Sequence, residues 1–351
     1  MKKSLLVLSA AAMVAAAAVP AMAETTLYGS ARMATFYNIN DTKAAAGKTS
    51  SFDEHLQTNS RVGLIASNGD VGGRVELGTG VNVRLLYGTW NFGAGKLTVG
   101  QDYNSYYLLS EQVHGDDNVN NGYGALWDGR QAQLRVNLNN GLYFAAIQAT
   151  QTANGTPDQK GGAIPNGELT NGKKIYLPKL NVGYAGKAGA VAYNAGVVGE
   201  FYKDENAGIN KNVTAILGYV NGTAAFGATT LKANLSYGQN AGDMNFAGRE
   251  GYGKNSAGAN KDARGFEGYI QASQKLSDTL KANAGIGYVT DKRDGDKHAD
   301  NKMLVFVNAP ITLAKNVTLT PEISYYDEMK AQSGASQPKS YAIGAQWRID
   351  F

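Results

Sequence analysis

Five arginines, Arg32, Arg61, Arg74, Arg84 and Arg135, sit on the polar side of short alternating stretches. Three acids, Glu111, Asp116 and Asp117, share one long polar stretch, 104–128. Fixed charges arranged in this way break no bonds; they attract ions of one sign and repel the other. Residue sets suited to bond chemistry are missing by comparison. The three histidines, His55, His114 and His298, fall in separate polar segments with no metal-ligand spacing. There is no Gly-x-Ser-x-Gly elbow. Gly251-Tyr-Gly-Lys254 approaches a phosphate-binding loop, but Asn255 stands where a Ser or Thr would be needed. The run 291–300 places oxygen donors around Gly295, loosely like a calcium loop. It lacks the closing Glu and carries Lys292, Arg293 and Lys297, so it reads as a solvated surface loop. No cofactor is called for. An active site assembled from distant strands leaves no linear motif, so a hydrolase stays open at this point.

What positions these charges is an alternating pattern, clearest in the stretch 339–351. Tyr341, Ile343, Ala345, Trp347, Ile349 and Phe351 fall on one parity, and Ser340, Ala342, Gly344, Gln346, Arg348 and Asp350 on the other. Successive side chains of a strand point to opposite faces, so one face is apolar and the other small or polar. Aromatic residues at both ends of the apolar row match a strand whose outer face meets lipid between two aromatic girdles.

The first residues are of another kind. Lys2 and Lys3 precede an apolar run from Leu5 to Ala18, and Ala21-Met22-Ala23 is a small-x-small cleavage site. The apolar run is too short for an anchor, which needs about 18 residues or more. Residues 1–23 are therefore expected to be a cleaved signal peptide, and 24–351 a single domain. Without Lys2 and Lys3 the formal charge of +4 becomes +2, which gives no support for a nucleic-acid partner. With no cysteine, no disulfide framework holds the exported chain together.

The alternation recurs along the chain. Val62, Leu64 and Ala66 oppose Arg61 and Gly63; Val71, Val75 and Leu77 oppose Arg74 and Glu76; Val83, Leu85 and Tyr87 oppose Arg84; Ala132, Leu134 and Val136 oppose Arg135. Tight turns such as Asn68-Gly69-Asp70 and Asn139-Asn140-Gly141 separate some segments, and longer polar stretches separate others. Sixteen segments result, joined alternately by short and long connections. That is the plan of a bacterial transmembrane barrel: all-β, antiparallel and of even strand number. Tyr37, Tyr87, Tyr184, Tyr193, Tyr219, Tyr237, Tyr288, Tyr325, Tyr341 and Trp347 share the apolar parity and are expected on the lipid side. No aromatic row is legible inside the bore, although Tyr123 and Trp127 could reach a solute from the 104–128 stretch.

At this point the chain resembles the general diffusion porins of Gram-negative outer membranes. The resemblance is carried by Thr26-Leu27-Tyr28-Gly29, Ser60-Arg61-Val62-Gly63-Leu64, Asp70-Val71-Gly72-Gly73, the stretch from Phe92 to Gln101, the polar stretch after the fifth strand, and Trp347 to Phe351. It implies a 16-stranded outer-membrane β-barrel with short periplasmic turns, longer external loops and a third loop folded inward. The barrel would assemble as a homotrimer in contact with membrane lipids and lipopolysaccharide. The terminal Phe351 would be read by the barrel-insertion machinery. The family's second external loop, often long, is here reduced to Gly78-Thr79-Gly80. The expected function is passive diffusion of ions and small hydrophilic solutes, with Arg32, Arg61, Arg74, Arg84 and Arg135 as a basic wall facing Glu111, Asp116 and Asp117. The alternatives are an anion-type selective channel and, further off, a barrel hydrolase or adhesin.

Overall fold

A computed structural model describes residues 24–42, 47–115, 122–150, 173–205 and 210–351. The expected leader, 1–23, lies outside the described residues, as do Asp116 and Asp117. Sixteen antiparallel strands form one closed sheet. They are β1 (Glu24–Asp41), β2 in two pieces (Lys48–Leu56 and Arg61–Asn68), β3 (Val71–Gly78), β4 (Val83–Asn91), β5 (Gly95–Tyr103), β6 (Arg130–Leu138) and β7 (Leu142–Ile147). β8 is again in two pieces (Lys173–Ile175 and Lys179–Ala188), followed by β9 (Val191–Asp204), β10 (Lys211–Phe226), β11 (Thr229–Gln239) and β12 (Ala263–Lys275). β13 (Lys281–Arg293), β14 (Asp300–Asn308 with Ile311–Ala314), β15 (Val317–Asp327) and β16 (Lys339–Asp350) complete the barrel.

Closure is made by β1, whose Ser30–Asp41 half pairs with β16, Met33 lying opposite Trp347. The other side of β1 pairs with both pieces of β2. At the seam the Gly29 N–H donates to the Phe351 carbonyl at 2.6 Å, and the Phe351 N–H donates to the Gly29 carbonyl at 3.0 Å. A Cβ at position 29 would sit 2.3 Å from the Phe351 ring, so only glycine lets that ring cover the strand.

The outer face carries the apolar parity. Leu134, Val182, Val220, Ile270, Ile323 and Ile343 are all exposed, and Tyr37, Tyr184, Tyr193, Tyr237, Tyr341 and Trp347 are exposed among them. Exposed apolar rows of this extent are unfavourable in water and fit a hydrocarbon solvent.

Two expected lipid-facing tyrosines are corrected. In β4 one extra residue bulges against Glu76 and Leu77, and the parity shifts across it. Leu85 is therefore fully buried inside, and Tyr87 lies opposite Arg74 and hydrogen-bonds to it. In β10 both faces are apolar, and the set Val213, Ala215, Leu217 and Tyr219 turns inward. Its partners are Tyr106 and Leu126 of the connection 104–129 (L3) and Ala241, Met244 and Phe246 of the connection 240–262 (L6). A barrel interior holding folded loops has an apolar core of its own, which alternation alone cannot separate from a lipid face.

The outer belt generates a direct test. Ile343→Arg, between Tyr341 and Trp347 on the lipid face, is expected to cost roughly 2–4 kcal/mol. Equilibrium unfolding from lipid vesicles measures this, and an unchanged midpoint would contradict the placement of β16.

Candidate functional site: the bore beside L3

The described parts of L3, 104–115 and 122–129, run as a belt along the inner wall. Its outgoing leg is held by hydrogen bonds from one strand after another. Asn194 of β9 donates to the Ser105 carbonyl at 2.6 Å, and Asn221 of β10 to the Tyr106 carbonyl at 2.8 Å. Tyr269 of β12 donates to the Leu108 carbonyl at 3.0 Å, and Asn308 of β14 to the Glu111 carbonyl at 2.6 Å. Glu322 of β15 then accepts the Val113 and His114 N–H groups at 2.7 and 2.9 Å. On the returning leg Asn234 of β11 donates to the Gly124 carbonyl at 2.8 Å. Backbone groups taken from water need partners, and inward Asn, Glu and Tyr side chains supply them.

Both ends of the belt are pinned by a buried ion pair. Lys179 Nζ donates to Asp128 at 2.6 Å, Asn104 donates to the same carboxylate at 2.9 and 3.0 Å, and the Tyr106 hydroxyl also donates to it. Burial and the adjacent carboxylate hold the Tyr106 phenol well above its ordinary pKa, so it stays a donor. Near the tip, burial and Glu328 raise Tyr123 in the same way, and its hydroxyl donates to that carboxylate. L6 folds in beside L3 and is fastened by Arg249, whose fully buried guanidinium donates to Asp291 at 2.6 Å and lies 3.4 Å from Glu267.

Three of the five arginines expected along the bore meet on one carboxylate, Glu76 of β3, which is itself fully buried. Arg84 Nε donates to it at 2.9 Å and Arg74 Nη2 at 3.0 Å, while Arg61 Nη1 lies at 3.6 Å. The Tyr28 hydroxyl adds a bond at 2.8 Å. Arg32, on β1, has Arg61, Arg84, Arg348 and Asp350 as charged neighbours, and its Nε donates to Ser30. Arg135 is set apart, donating to Asp102 of β5 at 2.7 Å. Glu111 turns the other way: it accepts from Lys232 of β11 at 2.6 Å. It borders an open space together with Lys281, Gln346 and Arg348. The residues that sequence reading passed over are Glu76, Arg348 and Lys232. Glu76 lies two positions after Arg74 on the inward parity, so its side was legible. Its role needed the register Val62↔Leu77 and Glu76↔Leu85, which no single strand contains.

A closed barrel with an apolar outside, a charged inside and an inward belt is the fold of an outer-membrane channel. No family model matches the chain, and no curated protein sequence matches it. Solved structures do. The outer membrane channel DcaP of Acinetobacter baumannii is 20% identical, with 95% of this chain and 99% of that one covered and a TM-score of 0.74. OmpF of Salmonella typhi is 13% identical, covering 93% and 98%, with a TM-score of 0.60. An anion-selective porin from Comamonas acidovorans is 12% identical, covering 94% and 100%, with a TM-score of 0.57. At such identities the shared property is the barrel fold itself.

Glu76→Gln is expected to destabilise the barrel by about 3–5 kcal/mol, since it strips a fully buried carboxylate from guanidiniums packed around it. Thermal unfolding in detergent reads this, and an unshifted transition would show that Glu76 does not hold the cluster.

Proposed function

We propose that the protein is an outer-membrane porin, a water-filled channel for passive diffusion of ions and small hydrophilic solutes, with a preference for anions. The observation that carries this reading is the uneven charge of the wall beside the L3 belt. There, Arg61, Arg74 and Arg84 meet at Glu76, and Arg32 and Arg348 lie beside Asp350, so that five guanidiniums gather around two carboxylates. An excess of fixed positive charge in a narrow aqueous space concentrates anions and excludes cations. The effect reaches about a Debye length, roughly 8 Å at physiological salt, and weakens as salt rises. The fold shared with a channel and with an anion-selective porin supports the reading.

On this reading, residues 1–23 are the export signal and 24–351 the pore domain. The belt of exposed aromatic and aliphatic residues faces lipid and lipopolysaccharide, and the C-terminal strand ending in Phe351 is the handle for the insertion machinery. The homotrimer is proposed from the resemblance of the sequence to general diffusion porins, and the short connection between β3 and β4 leaves little for a latch between subunits. Transport runs down the solute gradient and involves no catalytic step. A second reading, an anion-type channel with a binding step, is favoured by the clustering of guanidiniums and is distinguished by conductance that saturates with anion concentration.

Replacing Arg32 and Arg348 together by Gln removes charge from the wall while leaving Glu76 its nearest partners. The reversal potential across a salt gradient is expected to move toward the cation side, and liposome swelling by neutral sugars to persist. A potential that does not move would remove these arginines from the permeation path.

A further inference from the structure

Where L3 leaves β5 and rejoins β6, three aromatic rings gather on one arginine. Tyr103 ends β5, and its ring stacks on Tyr107 at 4.9 Å with the planes 5° apart. Trp127, on the returning leg, lies 5.0 Å from Tyr107 and 6.0 Å from Tyr103. The Arg130 guanidinium rests 5.6 Å from the Tyr103 centroid and 5.4 Å from that of Trp127. All four residues are partly exposed. Arg130 differs from the arginines around Glu76: among the described residues it has no ion-pair partner, and its Nη1 is buried with no hydrogen bond. The group joins the basic wall directly. The Tyr103 hydroxyl lies 3.4 Å from Arg84 Nη2, and the Tyr103 carbonyl accepts from Arg135 Nη1 at 2.8 Å.

A guanidinium lying on ring faces is held flat by cation–π attraction; packing closes off Nη1 of Arg130, and its Nε–Nη2 side is left for a bidentate acceptor. A carboxylate matches that edge in shape and charge. The rings beside it offer faces and edges to a second flat ring, which an aliphatic chain uses less well. We propose that Tyr103, Tyr107, Trp127 and Arg130 form a binding site at the rim of the bore for ring-bearing carboxylates, which pass from it to Arg84 and its neighbours. This rests on the channel reading above and gives it a substrate class.

The test uses the purified channel in a planar bilayer bathed in potassium chloride, with benzoate, acetate and benzamide added in turn. Benzoate is expected to interrupt the current saturably, at about tenfold lower concentration than acetate, which lacks the ring, or benzamide, which lacks the charge. Arg130→Gln should raise the half-saturating benzoate concentration about tenfold or more, and Arg130→Lys should recover part of the loss. Trp127→Ala should bring benzoate toward acetate. Equal potency of benzoate and either control in the wild type overturns the site. So does a half-saturating concentration that Arg130→Gln leaves unmoved. If Arg130→Gln does not fold, the three-solute comparison in wild type and Trp127→Ala decides. A wild-type protein that carries no chloride current at all would instead overturn the porin reading, so the two failures are distinct.

Discussion

Every peptide group of a chain crossing hydrocarbon must find its partner within the protein, and for strands that is possible only if the sheet closes. Closure here rests on one seam, β1 against β16. β1 is the longest unbroken strand, at 18 residues, and it meets β16 along Ser30–Asp41 and the second piece of β2 along Glu24–Ser30. That offset between its two neighbours staggers the sheet as a tilted barrel requires. The Gly29–Phe351 exchange of hydrogen bonds locks the end of the seam.

A closed barrel of this size would be a wide tube. Folded loops turn it into an asymmetric one. L3 and L6 cover the inner faces of β9 and β10, with Tyr106, Val198, Leu217, Met244 and Phe246 as a small dry core. The buried pairs Lys179–Asp128, Lys173–Asp243 and Arg249–Asp291 fasten that side. Such pairs add little net stability over apolar packing, but breaking one strands a charge, so they fix a loop in one position. A second apolar contact seats the far part of L3, where Val113 packs on Ala34, Phe36 and Ala342. The arginines gather instead on β1 to β4 and β16, around Glu76 and Asp350. Asymmetry of packing thus becomes asymmetry of charge.

The strand count and the outer face were legible because lipid imposes a strict rule on every second residue. The connection between β10 and β11 falls at Gly227, whose φ of +59° suits a two-residue hairpin. Legibility failed where the rule is relaxed. The bulge at Arg84 shifts parity, and nothing in Val83-Arg84-Leu85 announces it. Tyr219 read as a girdle residue because an interior filled by loops rewards apolar side chains as lipid does. The inward side of Arg61 and Arg74 followed from periodicity, whereas Arg84 points inward as the bulged residue itself, and their meeting at Glu76 follows from the register between three strands. Glu111 could be placed in the inward stretch; that it takes Lys232 depends on the path of L3, which only folding defines.

The most direct measurement is the zero-current potential of the wild-type protein in a planar bilayer under a potassium chloride gradient at low ionic strength, where screening is weakest. Open ohmic conductance is expected, with a potential of the sign set by chloride moving ahead of potassium that declines as both sides are raised in salt. A folded, inserted protein that carries no current, or whose potential has the potassium sign, would contradict an anion-preferring pore.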